Sequence, residues 1–182
     1  RQRSHVTPKL QQVDPGNALL ARGPRFRLPA ETIRNSVLAA SGLLNEQLGG
    51  PSVKPYQPPD LWEEISDESY EQDTGQKLYR RSLYIFWKRT VTHPLMSVFD
   101  APSREICTVR EDRSNTPLQA LALLNETGMV EAARALAERA LRESGPRRSQ
   151  QLQRAFRLAT ARTPGESELE LLQQMFERHQ QH

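Results

Sequence analysis

A single cysteine, Cys107, stands in the 182 residues. That excludes an internal disulfide and any CxxC or CxxCH pairing, so this chain attaches no c-type haem and builds no cysteine-based zinc site. Long apolar runs are missing too: nothing approaches the ~20 residues needed to span a bilayer, and no signal-peptide pattern opens the chain. The first residue is Arg1 rather than methionine, which points to a segment of a longer protein. Neither sign of charge dominates: the formal net charge is +3, which does not indicate a dedicated nucleic-acid surface. Gly-rich phosphate loops, HExxH, GxSxG and paired metal-ligand histidines are all absent from the sequence, so no metal site is expected. Apolar residues are scarce at 36%, beside 13 prolines and 26% charged residues, which implies a lean core with long polar connections.

What is present reads as helices joined by irregular chain. Residues 1 to 28, broken by Pro8, Pro15, Gly16, Gly23 and Pro24, form an extended arm on the surface. Arg22, Arg25 and Arg27 surround Phe26 there, either as wet heads over a packed ring or as an anion-binding arm, the first being favoured. Pro29 suits a first helical turn, and Ala30, Ile33, Val37, Ala40 and Leu44 then repeat at helical spacing up to Gly49 and Gly50. GGPSVKPYQPPD is a structural loop packing Tyr56 rather than a proline-rich ligand. LWEEISDESYEQDTG is acidic, lacks the spacing of a calcium loop, and reads as a solvated face able to pair with the basic segment after it.

SLYIFW is too short an apolar run for periodicity to separate strand from helix; its helical surroundings lean it to helix. FDAP at Phe99 to Pro102 is a turn whose Asp100 accepts from backbone N–H groups. Asn115, Thr116 and Pro117 start a helix that runs through Leu118, Leu121 and Leu124, falters at Thr127 and Gly128, and resumes with Val130, Ala133, Leu136, Ala137 and Leu141 until Gly145 and Pro146. Residues 29 to 145 thus make a core helical domain with loop insertions. Residues 146 to 182 form a helical hairpin: one helix carries Leu152, Ala155, Phe156 and Ala159, and the other opens on a Thr163 to Glu166 capping box and presents Leu169, Leu172 and Phe176. The fold class expected is mainly α, an irregular multi-helix domain with long ordered Pro/Gly-rich loops.

Aromatic and basic residues interleave between Leu78 and Leu124 as nowhere else. Arg80, Arg81, Trp87, Lys88, Arg89, Arg104 and Arg113 would line a groove in which guanidinium forks hold an anionic group beside flat rings. The competing and favoured account pairs these arginines with the acidic segment and with helix ends. A nucleophilic reading joins Cys107 to His93 and Asp100, since a thiolate needs a nearby base. Cys107 between Ile106 and Thr108 reads more readily as a small buried apolar residue, and His93 before Pro94 as a turn or packing residue.

DPGNALLARGPRFRLPAETIRNSVLAASGLL, GGPSVKPYQPPDLWEE, LYRRSLYIFWKRTVTHP, FDAPSREICTVREDRSNTPLQALALLNE and VEAARALAERAL resemble, in order, the planctomycete PSD-one domain, a family of unknown function. The likeness covers nearly the whole chain, and Gly16 to Leu19 and Asn35, where Asp is usual, depart from the pattern. It implies an extracytoplasmic parent protein, at the periplasm or cell surface, with a cytochrome c-like module and its haem elsewhere in that parent. No cofactor is implied in this segment, and no catalytic residue is transferred. The function expected is a binding or interaction module that recognises an acidic polysaccharide or docks a neighbouring domain. The alternative is a hydrolytic or redox-linked enzyme domain using His93, Asp100 and Cys107.

Overall fold

The computed structural model describes residues 4–23, 26–63, 69–109 and 113–180. Among these there are seven α-helices, α1 (Pro8–Val13), α2 (Ala30–Ser41), α3 (Pro94–Val98), α4 (Pro117–Asn125), α5 (Thr127–Glu143), α6 (Arg148–Thr160) and α7 (Glu166–Gln180). Extended pairing is limited to two isolated parallel bridges, Asn45 with Arg80 and Val53 with Ile85. The fold is therefore mainly α, as the sequence implies. The centre of the packing is α2, which contacts α3, α5, α6 and the 3-10 turn at Ser82–Tyr84.

Helix α2 is shorter than the spacing suggests and buries more than one stripe. It stops at Gly42 rather than Gly49 because Gly42 takes φ 83°, the left-handed conformation that closes a helix, and the Leu43 N–H bonds back to the Leu38 carbonyl at 3.0 Å. Its buried residues are Ala30, Arg34, Leu38 and Ser41, while Ile33 and Val37 pack at the edge of the main core. Pro29 lies just outside, as the N-cap. A helix covered on two sides does not show the single apolar stripe that periodicity assumes.

The core cluster joins Ala30, Ile85, Leu95, Met96, Phe99 and Met129. Pro94 starts α3 at its first position, and this five-residue helix supplies Leu95 and Met96. SLYIFW, expected to lean helical, is neither a helix nor a strand. Ser82–Tyr84 make one 3-10 turn, after which the chain extends and Ile85 pairs with Val53, whose carbonyl accepts from Phe86 N at 2.8 Å. Ser82 and Ile85 are buried while Leu83 and Phe86 are exposed, so the run is a surface chain with two anchors.

The long helix after Pro117 is two helices. The break falls at Glu126, whose φ −66°, ψ 135° ends α4, and whose side chain accepts from Met129 N at 2.8 Å to cap α5. At the start of α4, Gln119 reaches back to accept from Thr116 N at 3.2 Å. The turn of direction also moves the buried face of α5 to Met129, Ala132 and Ala140; Val130 and Leu141 are exposed. Helices α6 and α7 run antiparallel, with Arg148 near the start of one bonded to Gln180 at the end of the other at 3.1 Å. The cap between them sits two residues later than expected: Glu168 accepts from Gly165 N at 2.9 Å and holds Arg162 with both oxygens.

Met96 is 1% exposed at the centre of the cluster, whereas Leu118 on α4 is 57% exposed. Met96→Ala should lower the unfolding free energy by about 2–5 kcal/mol, and Leu118→Ala by no more than ~0.5 kcal/mol. Urea titration followed by circular dichroism would measure both.

Candidate functional site

An enclosed polar arrangement lies between α2, the start of α5 and the loop that follows Val53. Arg34 projects from α2 into this space with 7% of its surface exposed. One terminal nitrogen donates to the Arg80 carbonyl at 2.8 Å and to Ser82 Oγ at 3.3 Å, and the other to the Leu78 carbonyl at 2.5 Å. The chain from Leu78 to Ser82 follows no regular ladder, so its carbonyls need a partner from elsewhere, and a guanidinium fork meets several at once. Burial lowers the Arg34 pKa to about 10, against the pull of Glu126 and Tyr70, and it stays charged at neutral pH. Asn35, the next residue on α2, accepts from Ser82 N at 2.8 Å with its carboxamide oxygen.

Beyond Arg34 lies a cavity of ≈ 20 Å³ bounded by Tyr56, Tyr79, His93, Glu126, Gly128 and Glu131, with Leu95 and Met129 as its apolar wall. Tyr79 donates to Glu131 Oε1 at 2.7 Å. Desolvation and the carboxylate of Glu131 push both Tyr79 and Tyr56 upward from the ordinary phenol value. His93 is 4% exposed, and neither ring nitrogen meets a partner with hydrogen-bond geometry, although the Tyr56 carbonyl lies close enough to offset part of the desolvation. Burial first, and then the Arg34 charge, drives the imidazole down to about 4, so it is neutral at pH 7.

The residues singled out by sequence do not gather in one place. Arg80 is inside, 3% exposed, donating to the carbonyls of Gln47, Gly49 and Pro51 and stacking 3.8 Å from the Tyr84 ring centre. Arg81 stands 4.0 Å from Glu46. Trp87 donates to the Ser103 carbonyl at 3.1 Å beneath Arg104, which stacks at 4.2 Å and reaches Glu31 at 3.9 Å. Lys88 lies 4.6 Å over Trp62, Arg89 is exposed, and Arg113 lies 4.4 Å over Phe26. Arg80, Lys88, Arg104 and Arg113 lie over four different rings, so the interleaving that suggested one groove is produced by separate local pairings.

The nucleophile set is divided in the same way. Cys107 is exposed and His93 is buried without a hydrogen-bond partner, so neither the thiol nor Asp100 bonds to the imidazole. Asp100 instead ties three segments together. Its carboxylate accepts from Ser114 N at 2.7 Å and pairs with Arg27, whose other nitrogens donate to the Phe99 and Ser114 carbonyls. The Ser114 amide, ahead of the Arg27 charge, holds Asp100 below the usual carboxylate range. Asp73 of the acidic segment pairs with Lys77 at 3.3 Å, just ahead of the basic segment it was expected to meet, and Arg81 of that basic segment stands by Glu46 instead; residues 64–68, and Arg110 to Asp112 in the later stretch, lie outside the described residues.

Sequence reasoning passed over Arg34, Glu126 and Glu131. One signal was available: Arg34 stands four residues after Ala30 and four before Leu38, inside a stripe that is otherwise apolar or small.

These features define a mainly α domain whose irregular segments are held by buried arginine forks. The chain belongs to the PSD1 family, described as a protein of unknown function (DUF1553), whose model matches residues 1–176. No curated protein and no solved structure matches it.

Replacing Arg34 by Met keeps the bulk but strands the carbonyls of Leu78 and Arg80, and should cost roughly 2–5 kcal/mol in urea unfolding. Lys at the same position should recover only part, because it lacks the fork. His93 generates a pH dependence of known sign. Its folded pKa, about 4, lies below the ordinary 6.5, so the unfolded chain binds the proton more tightly. The stability it contributes is present above pH 6.5 and disappears as pH falls toward 4, a loss of roughly 3 kcal/mol. His93→Phe should flatten that part of the stability profile between pH 6.5 and 4, measured by denaturant midpoints at stepped pH.

Proposed function

We propose that this domain is an interaction module of a larger extracytoplasmic protein, and that it docks a neighbouring domain of that protein through α4. The observation that supports this is the surface of α4. Leu118, Leu121, Leu123 and Leu124 are 57%, 56%, 44% and 74% exposed on one nine-residue helix. Single exposed leucines are ordinary on a protein surface, but Leu118, Leu121 and Leu124, three residues apart, share the outer face of this short helix and form the kind of apolar patch that another protein covers, while Leu123 lies on the opposite flank and lines a groove with Val37 and Met129. The helix is anchored from beneath, where Gln119 is buried and its carboxamide donates to the Val98 carbonyl at 3.0 Å and to Ser114 Oγ at 2.9 Å. A rigid, preformed apolar ridge loses little entropy when a partner closes over it.

An acidic polysaccharide has less to draw it. Of the basic residues named for that role, Arg80 is inside the fold, and Arg81, Lys88, Arg104 and Arg113 already lie against Glu46, Trp62, Trp87 and Phe26. The extracytoplasmic location and a haem-bearing module elsewhere in the parent are proposed on the family resemblance.

The test is made in the intact parent protein. Leu121→Glu with Leu124→Glu should leave the domain's melting temperature within about 2 °C, because both side chains are already wet. It should release the domain from its neighbour, seen as lost interdomain cross-links and faster cleavage of the connecting chain by limited proteolysis. Unchanged cross-linking and cleavage in that variant would remove α4 as the docking surface.

A further inference from the structure

The cavity beside Arg34 contains three buried polar atoms, in two side chains on different elements, that find no partner with full hydrogen-bond geometry, although the Tyr56 hydroxyl stands beside Glu131 and the Tyr56 carbonyl beside His93. They are Nδ1 and Nε2 of His93, at the start of α3, and Oε2 of Glu131, on α5. A neutral imidazole has one donor and one acceptor, and an ionised carboxylate oxygen is an acceptor only. The two groups do not bond each other, and Oε1 of Glu131 is already engaged by Tyr79. Leaving such atoms dry is costly, and more than about nine in ten buried polar groups in proteins find a partner.

Size and charge narrow what fits. The space of ≈ 20 Å³ exceeds the ~10–15 Å³ that a water requires and falls far below the several hundred Å³ of a metabolite pocket. The charged groups facing it are Arg34 from α2, and Glu126 and Glu131 from the start of α5; Tyr56 and Tyr79 add hydroxyls from the loop and the 3-10 turn. Arg34 opposes a cation and the two carboxylates oppose an anion. Among the described residues, no group of three or more His, Cys, Asp or Glu is placed to hold a metal ion. The guest these walls accept is neutral, of one heavy atom, and able both to donate and to accept.

We propose that the cavity is a built site for a single ordered water. The water donates one hydrogen to Glu131 Oε2 and meets a ring nitrogen of His93. The result is a continuous interior chain, His93 to water to Glu131 to Tyr79, that fastens α3 and the 3-10 turn at Gly75–Tyr79 to α5. This site is independent of the α4 surface: it faces inward, and either can fail without the other.

Two measurements decide it. A high-resolution crystal structure should show one density peak at about 2.7–3.2 Å from both a His93 ring nitrogen and Glu131 Oε2. An empty cavity, or a rotamer in which His93 and Glu131 bond directly, would overturn the proposal. Thermal melts at pH 7 then separate a bridged imidazole from a dry one. His93→Phe and His93→Gln are compared with the native chain. If the water is there, His93→Phe lowers the melting temperature by several degrees, and His93→Gln, which can still donate and accept, recovers part of the loss. If the ring nitrogens are dry, His93→Phe removes two orphaned polar atoms and the melting temperature holds or rises, which sinks the idea.

Discussion

Everything irregular in this fold depends on a constraint that helices escape: a chain segment without a ladder must still satisfy its buried backbone groups. Among the described residues from Gln47 to Ser82 there are few regular hydrogen bonds outside the 3-10 turn at Gly75–Tyr79, and two arginines from the interior take their place. Arg34 gathers the carbonyls of Leu78 and Arg80. Arg80 in turn gathers those of Gln47, Gly49 and Pro51. The two forks act in series, since the segment that receives the first delivers the second. A planar cation with five donors suits this work, and lysine, with a point charge on a flexible stem, does not.

That arrangement has a consequence for chemistry in the interior. Burial, with the Arg34 charge of α2 beside it, keeps the His93 imidazole neutral, while Glu126 at the start of α5 favours the guanidinium. The polar interior is therefore a joint of opposite charges between α2, α3 and α5. It differs from a nucleophilic site in one decisive respect, which is that the only thiol, Cys107, is out on the surface. The outer cations follow a simpler rule. Arg104, Lys88 and Arg113 each settle over an aromatic ring, which stiffens their own loops and leaves the leucines of α4 as the largest uncommitted feature of one surface helix.

Much of the fold was legible because its signals are local. The proline that opens α4, the glycine turns after Leu48, the hairpin of α6 and α7 and the turn at Asp100 all rest on residues within a few positions of each other. Errors arose where a distant partner decided. The end of α2, set by the left-handed conformation of Gly42, is held there by Arg139 from α5, which donates to the carbonyls of Ala39 and Ala40. The break at Glu126 shifted the buried face of α5, and SLYIFW extended because Val53 offered it a bridge. The candidate site was largely hidden for the same reason. His93 was visible as a residue, but its company of Arg34, Tyr79 and Glu131 comes from three elements far apart in the chain.

The sequence by itself determined the mainly α class, the membership of a family of unknown function, and the lean core with its long loops, because composition, capping and motif order are properties of neighbours along the chain. Only the tertiary structure decided which basic residues are interior struts and which are surface ornaments on aromatic rings. An arginine's side chain looks the same in either role until the carbonyls around it are known, and those carbonyls are supplied by segments thirty to fifty residues away.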